Sequence, residues 1–226
     1  MLQASIIIIL LYLVFIMLII GSWNSIKTRT HDKDLSVLNF QKVSVLIPVR
    51  NEGQNIETLI QSITDVDYDP SCLEVIVIDD HSSDNTFSIV ETLIKQNGWL
   101  KIISLGPGVI GKKKAIEKGI LESTGKIIVC TDGDCVVPHN WLKSYSDFYT
   151  NQPEMAMIFG PVRYKNDQSL FADILNIELS ILQVIGGATM NLGFPTMING
   201  ANFSYQKTIF NEVSGYSENE HIPSGD

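Results

Sequence analysis

Two carboxylates separated by a glycine stand at Asp132-Gly133-Asp134, directly after the mostly apolar run Lys126–Cys130. Such a run predicts a buried strand, so both carboxylates are expected at an exposed strand end. Hard oxygen ligands of this kind suit Mg²⁺ or Mn²⁺, which prefer a few carboxylates plus substrate phosphates. A metal held here would bridge the phosphates of a nucleoside diphosphate and offset the charge of a departing leaving group. The alternative is a solvated turn, because Asp-Gly is a common turn pair.

Further acidic residues follow two other predicted strands. Asp79 and Asp80 come after the apolar run Leu73–Ile78, and Glu52 comes shortly after the run Val43–Ile47. A carboxylate is an acceptor only, which suits the imide N–H of a base or a ribose hydroxyl. The alternative for each of these side chains is capping of the next helix or a structural role in a loop.

A lysine cluster at Gly111-Lys112-Lys113-Lys114 lies near a predicted helix N-terminus. Backbone N–H groups and ammonium groups at such a position could meet a diphosphate. A solvated lysine cluster is the alternative. The spacing is not that of a Walker A motif, which needs an earlier glycine and a single Gly-Lys-Ser/Thr.

The elements that must position these groups alternate between strand and helix. The patterns predict strands at 43–47, 73–78, 101–105 and 126–130, with helices at about 55–63, 84–96 and 113–123. Four alternations predict a mostly parallel α/β sheet with helices on its faces, and ligands bind such sheets beyond the carboxyl ends of the strands. Beyond Asn140 the patterns predict a strand at 155–159, an amphipathic or interfacial helix at 170–184 and a glycine-bearing loop region at 186–200.

The N-terminal segment is apolar without interruption from Ile6 to Ile20, and the first charged side chain is Lys27. About 20 apolar residues form a helix long enough to span a bilayer, and Trp23 stands where an interfacial aromatic would. A signal peptide is the alternative, although it would have a basic n-region. Basic residues after the span place the following domain in the cytoplasm, at the cell (inner) membrane. We therefore predict a transmembrane anchor at 1–22, a linker at 23–42 and one catalytic domain at 43–226.

The composition bears on partners and compartment. The formal net charge is −9, and no basic face or arm is evident, so nucleic acid is not an expected partner. The three cysteines, Cys72, Cys130 and Cys135, have no C-x-x-C spacing, so neither a disulfide framework nor a zinc site is indicated.

Taken together, these stretches resemble the family 2 inverting glycosyltransferases, whose fold is a nucleotide-diphospho-sugar-binding, GT-A-like α/β domain. The resemblance runs in order through VSVLIPVRNE at 43–52, EVIVIDDHSSDNT at 74–86, GKKKA at 111–115, TDGDC at 131–135, NGANFSY at 199–205 and SGD at 224–226. It implies a nucleotide-sugar donor, a glycan or lipid-linked acceptor, and Mg²⁺ or Mn²⁺. It also assigns residues: Pro48, Arg50, Glu52, Asp79 and Asp80 to the nucleoside, Lys112, Lys113 and Lys114 to the diphosphate, Asp132 and Asp134 to sugar and metal, and Gly200, Ala201 and Asn202 to the acceptor.

The sequence departs from this family at its last residues. A Gly-Glu-Asp or Gly-Asp-Asp triplet supplies the family's catalytic base, usually from the last carboxylate, whereas this chain ends at Gly225-Asp226. Asp226 then corresponds to the first acid, so it is either the base or the neighbour of a base that would follow it. The catalytic domain is therefore expected to be incomplete at this end.

The mechanism implied by the resemblance is single displacement, in which a base deprotonates the acceptor hydroxyl as it attacks the anomeric carbon. An NAD-dependent Rossmann enzyme is disfavoured, because the first strand–helix turn lacks Gly-x-Gly-x-x-Gly. A nucleotidyltransferase would need a glycine-rich loop directly after the first strand, which Pro48–Gly53 does not provide. The alternative from another class is an inactive donor-binding fragment or membrane-tethered binding module that lacks the base.

Overall fold

The computed structural model describes residues 2–26, 40–165 and 169–216. It contains two compact units. The sheet unit comprises Leu38–Gly160 and Gly200–Asp226, and the helical unit comprises Met1–Val37 and Pro161–Asn199. This grouping differs from the predicted domain at 43–226, because the segment 161–199 belongs with the N-terminal helix. The predicted domain boundaries themselves remain a prediction.

The sheet unit is built on one six-stranded sheet of order β3-β2-β1-β4-β6-β5. Strands β1 to β4 are parallel, whereas β6 runs antiparallel to both β4 and β5. The predicted α/β class and mostly parallel sheet are thereby confirmed. The strands are β1 Val43–Val49, β2 Leu73–Asp79, β3 Leu100–Ser104, β4 Ile127–Cys130, β5 Met157–Phe159 and β6 Phe203–Gln206.

Helices of the sheet unit connect these strands and cover them. They are α2 Ile56–Thr64, α3 Thr86–Ile94, α4 Lys112–Glu122, α5 Trp141–Asn151 and α7 Lys207–Glu212, with a 3₁₀ turn at Pro70–Cys72. The helical unit contains α1 Leu2–Ser25 and α6 Leu170–Asn191. Both α1 and α6 are long and apolar enough to cross a membrane, by length and composition.

The core of the sheet unit follows from apolar periodicity. Helix α2 places Ile56, Leu59, Ile60 and Ile63 on one face, and all four are buried. Strand β1 is buried along almost its whole length, as expected of a strand with parallel neighbours and covered faces. Burying a large aliphatic side chain contributes about 1.5–3 kcal/mol, so this packing is the main source of stability.

Several elements differ from the sequence predictions. Helices α5 and α7 and strand β6 were not predicted. The loop predicted at 186–200 is wrong at its start, because α6 continues through Gly186 and Gly187 to Asn191. Both glycines are buried, and an added Cβ at Gly186 would lie 2.6 Å from the Met197 carbonyl oxygen. Small residues permit this close backbone approach, and the packing offsets the weak helix propensity of glycine.

We predict that Gly125→Ala destabilises the sheet unit. The added Cβ would lie 2.5 Å from the backbone nitrogen of Ser44, and the Gly125 N–H donates to Ser44 Oγ at 2.8 Å. Forcing these atoms apart should lower the free energy of unfolding by about 1–3 kcal/mol. The measurement is chemical denaturation of the full chain in detergent, followed by circular dichroism.

Gly98→Ala is the matched control, since an added Cβ there has no heavy atom within 4 Å. Its free energy of unfolding should change by less than about 1 kcal/mol. Equal destabilisation by both substitutions would contradict the steric argument.

Candidate donor-binding site

The carboxyl ends of three neighbouring strands form one edge of the sheet. Strand β1 lies between β2 and β4, with Val49 in register with Asp79 and Leu46 in register with Cys130. The loops that follow these strands therefore begin side by side. The pairing confirms that β2 lies beside β1. It also brings the three acidic stretches, which follow β1, β2 and β4, to one edge of the sheet.

The loops after β1 and β2 are joined by hydrogen bonds. The Asn51 N–H donates to Ser82 Oγ at 3.0 Å, and Asn51 Oδ1 accepts the Ser83 N–H at 2.8 Å. Asn51 and His81 both have positive φ, of 60° and 59°. Such backbone is uncommon outside glycine, although asparagine and histidine are among the residues that tolerate it best. The reciprocal bonds hold these two turns in a fixed arrangement.

Asp84 also connects the loops that follow β1 and β2. Its carboxylate accepts the Thr86 hydroxyl and N–H, which lower the pKa of Asp84, and the Gly53 N–H donates to it at 3.0 Å. An added Cβ at Gly53 would lie 2.1 Å from Asn85 Oδ1, so a larger residue here would displace the side chains of Asn85 and Asp84. Asp84 directly precedes Asn85, the N-cap residue of α3, and accepts the N–H of the first helical residue, Thr86, at 3.0 Å.

Asp79 and Asp80 are both buried, and each has hydrogen-bond partners. Asp79 accepts the Ser82 N–H at 3.3 Å, and Asp80 Oδ2 accepts the Gly111 N–H at 2.9 Å. Asp80 Oδ1 also lies 3.0 Å from His81 Nδ1. Asp80 therefore ties the residue that precedes α4 to the end of β2.

The lysine cluster begins at the first residue of α4. Lys112 Nζ lies 3.0 Å from Asp132 Oδ1, which joins the cluster to the Asp132–Asp134 triplet. Lys114 pairs with Glu117 at 3.1 Å, and Lys113 Nζ lies 5.8 Å from the centre of the Tyr216 ring. The structure thus brings the Lys112 ammonium group into direct contact with the acidic edge.

The Asp132–Asp134 triplet packs against the loop that follows β1. An added Cβ at Gly133 would lie 2.8 Å from Glu52 Cγ and 3.0 Å from Val49 Cγ1, so the small residue permits this contact. Glu52 Oε2 accepts the side-chain amide of Asn55 at 2.9 Å. Asp132 is half-buried, whereas Asp134 is exposed. Glu52 therefore lies beside the triplet, as the predicted site requires.

The carboxylates of Asp132 and Asp134 could supply only part of the ligand set of a divalent cation. Across residues 2–26, 40–165 and 169–216, no group of three or more His, Cys, Asp or Glu side chains could hold a metal ion. Two carboxylate oxygens with an open side match the preference of Mg²⁺ for few protein ligands plus phosphate oxygens and water. Such a site is completed by a bound diphosphate.

Gly200, Ala201 and Asn202 lie directly before β6. Because β6 is antiparallel to β4 and Phe203 is in register with Cys130, these residues reach the end of β4, where the triplet begins. Asn202 Oδ1 accepts Trp141 Nε1–H and the Tyr145 hydroxyl, both at 2.8 Å. The structure thus places the predicted acceptor residues at the same edge.

Trp141 and Tyr145 were missed by the sequence reasoning. Both are buried on α5, and burial raises the pKa of Tyr145, so its hydroxyl remains a donor to Asn202 at neutral pH. The signal available was the apolar spacing Trp141, Leu142, Tyr145 and Tyr149, which is helical.

Three predicted site residues remain to be located: Pro48, Arg50 and Asp226. Pro48 is half-buried within β1, and Arg50 is exposed one residue beyond its end. Asp226 lies outside the residues that the structure describes.

Known proteins similar to this chain are glycosyltransferases. Residues 44–214 match the family model described as Glycosyl transferase family 2. The chain is 29% identical over 187 residues to the "Probable glycosyltransferase YdaM" of Bacillus subtilis, covering 78% of this chain and 43% of that protein. It is 26% identical over 181 residues to a poly-beta-1,6-N-acetyl-D-glucosamine synthase of Staphylococcus epidermidis, covering 80% and 43%. The chain thus spans less than half the length of these relatives.

Solved structures share the fold. The mannosyltransferase PcManGT from Pyrobaculum calidifontis, in complex with GDP-Man and Mn²⁺, aligns with a TM-score of 0.70 at 20% identity, covering 98% of this chain and 61% of that one. S. aureus TarS 1-349 in complex with UDP-GlcNAc aligns with a TM-score of 0.59 at 19% identity, covering 76% and 47%. These likenesses confirm the GT-A-like fold. Because the family model covers most of its length, the chain belongs to glycosyl transferase family 2.

Proposed function

We propose that this chain transfers a hexosyl or N-acetylhexosaminyl group from a UDP-linked donor to a glycan or lipid-linked acceptor, with inversion. The observation that carries the proposal is the 3.0 Å ion pair between Lys112 and Asp132, at the edge where β1, β2 and β4 end. It joins a cationic helix start to the acidic triplet in a family 2 domain. The names of a staphylococcal relative and of one structural neighbour, which contain N-acetylglucosamine and UDP-GlcNAc, support this donor class.

The donor's diphosphate would lie between the start of α4 and the triplet. Lys112 supplies an ammonium group there, and the first N–H groups of α4 point toward the same end of the helix. The nucleoside would then lie over Pro48, Arg50, Glu52, Asp79 and Asp80. Because Asp80 holds the Gly111 N–H, base recognition and the position of α4 are coupled through one carboxylate.

Asp132 and Asp134 would hold Mg²⁺ or Mn²⁺, which would compensate the charge of the diphosphate leaving group. Lys112 already pairs with Asp132, so its ammonium group is placed to share that compensation. The PcManGT complex, which contains GDP-Man and Mn²⁺, supports metal use in this fold.

The acceptor would lie beside Gly200, Ala201 and Asn202, with its hydroxyl deprotonated during a single displacement. The base is proposed at Asp226 or at an acid directly after it. Helix α1 is proposed as the anchor in the cell (inner) membrane, with the sheet unit in the cytoplasm. The support is its length, its mean hydropathy of 3.0 and the basic residues that follow it.

The proposal predicts that UDP binding depends on a divalent cation. Calorimetry should show tighter UDP binding with Mn²⁺ than with EDTA, and Asp134→Ala should remove the difference, because one of two carboxylate ligands is lost. Glu91→Ala removes an exposed carboxylate from α3 and should leave the Mn²⁺ effect intact. Equal affinity in EDTA and Mn²⁺ would refute the metal assignment.

We predict that Asp80→Asn weakens UDP binding with little effect on folding. The amide keeps an acceptor oxygen for the Gly111 N–H but loses the charge and one acceptor position. The cost should be about 1–3 kcal/mol, or roughly 5- to 150-fold in Kd. A large drop in melting temperature without ligand, with unchanged affinity, would show that Asp80 has only a structural role.

A further prediction concerns the position of the catalytic base. If the base follows Asp226, the 226-residue chain should bind UDP but transfer sugar slowly, and one acidic residue added after Asp226 should raise transfer by about 10²- to 10⁴-fold. The control is the same extension with an amide residue, which should have no effect. Rapid transfer by the original chain that is lost in Asp226→Asn would instead identify Asp226 as the base. Donor binding without transfer in every variant would support a binding module.

A further inference from the structure

Helix α6 carries a stripe of exposed apolar side chains along one face. Leu170, Ile174, Ile177 and Ile181 are 77%, 53%, 61% and 55% exposed. Their spacing of four, three and four residues places them on the same side of a helix. An apolar stripe of this length is unusual on a surface that contacts only water, and it indicates an interaction surface.

The opposite face of α6 binds an extended segment. Asn176 Oδ1 accepts the Tyr164 N–H at 2.8 Å, and Gln183 Oε1 accepts the Val162 N–H at 2.7 Å. Both amides also donate to the carbonyl oxygen of the same residue, at 3.3 Å and 2.7 Å. At about 100° per residue, Asn176 and Gln183 point away from Ile174. The stripe of α6 is therefore apolar and open, the exposed acids Asp173 and Glu178 flank it, and the opposite face holds the segment 161–165.

This arrangement argues against α6 as a membrane-spanning helix, although its length and composition would permit one. The segment 161–165 is not helical, and Arg163 and Lys165 are exposed on it. Non-helical backbone and charged side chains are not tolerated against lipid in the hydrocarbon core. Only the stripe, and not the whole circumference of α6, can therefore contact lipid.

Hydrogen bonds attach the C-terminal end of α6 to the end of α1. Ser22 Oγ donates to the Ala188 carbonyl oxygen at 2.8 Å, and Asn191 Nδ2 lies 3.0 Å from both Ser22 Oγ and Ser25 Oγ. Trp23, 42% exposed, stands at the same level of α1, where an aromatic side chain favours the lipid–water boundary. With α1 in a bilayer, the C-terminal end of α6 therefore lies at that boundary.

A groove between the two helices continues the apolar surface. Its volume is about 720 Å³, and its walls include Ile16, Ile19 and Ile20 of α1 and Ile177 and Ile181 of α6. Two members of the stripe thus also line this groove. The exposed surface of α1 and the stripe of α6 form one apolar region within the helical unit.

We propose that α6 lies in the interfacial layer of a lipid bilayer, with the stripe Leu170, Ile174, Ile177 and Ile181 inserted among the upper acyl chains. The extended segment 161–165 faces water or headgroups on the other side of the helix. An interfacial amphipathic helix buries its apolar face by roughly 5–10 Å, which a single stripe can satisfy. The inference rests on the proposed anchoring by α1.

Depth-dependent quenching tests this proposal on the full chain in phosphatidylcholine and phosphatidylglycerol vesicles. Separate Ile174→Cys, Ile177→Cys and Ile181→Cys variants receive an NBD label, and the labelled original chain gives the background from its own cysteines. We expect lipids with a doxyl group at carbon 5 to quench all three labels more than lipids with one at carbon 12. A shallow, equal depth along the helix is the signature of an interfacial position.

Two further labels make the outcomes distinguishable. Leu121→Cys on α4, where the leucine is 82% exposed, should be quenched strongly by aqueous iodide, and the α6 labels several-fold less. Val14→Cys on α1 should be quenched best by the deeper doxyl group. Iodide quenching on α6 equal to that at Leu121→Cys, or a depth gradient along α6, would overturn the proposal. Loss of lipid quenching at Val14→Cys would instead show that the anchoring itself is wrong.

Discussion

Strand β1 lies between β2 and β4, and the parallel pairing on both its sides brings the loops that follow these three strands to one edge of the sheet. In this register β1 and β2 end level with each other at Val49 and Asp79, and β4 ends at Cys130, level with Leu46, toward the same edge of the sheet. Residues that are 81 positions apart in the chain then meet at one edge, as Glu52 and Gly133 do. A register shift in either pair would also turn the buried face of a strand outward, so core packing and site geometry depend on the same pairing.

Because these strands end at one edge of the sheet, several carboxylates lie close together there. Hydrogen bonds and an ion pair compensate for their negative charges. Asp79 and Asp80 are buried but accept backbone N–H groups of Ser82 and Gly111, while Asp132 pairs with Lys112. Asp134 alone is exposed at this edge among the acids of the two Asp pairs. The ion pair with Lys112 places Asp132 beside the cationic start of α4.

Three glycines permit close approach, to backbone atoms at Gly125 and Gly186 and to side-chain atoms at Gly133. Gly125 permits contact with Ser44 at the start of the sheet, Gly133 permits contact with Glu52 at the site, and Gly186 permits contact with Met197 in the helical unit. None of these three has a positive φ, so their role is the absence of a Cβ rather than backbone freedom. The absence of a Cβ thus permits close contacts in the core, in the site and in the helical unit.

The sequence by itself determined the alternating elements, the mostly parallel sheet and the edge on which the acidic stretches meet, because apolar strands and amphipathic helices have distinct periods. Local pattern did not reveal β6, since Phe203–Gln206 gains its role from antiparallel pairing with β4, and that pairing brings Asn202 to the site. Nor did it predict that α6 would continue through Gly186 and Gly187, because glycine lowers helix propensity and only packing offsets that cost. The contacts of Lys112 with Asp132 and of Asp80 with Gly111 were likewise decided by the tertiary structure, since they join residues distant in the chain.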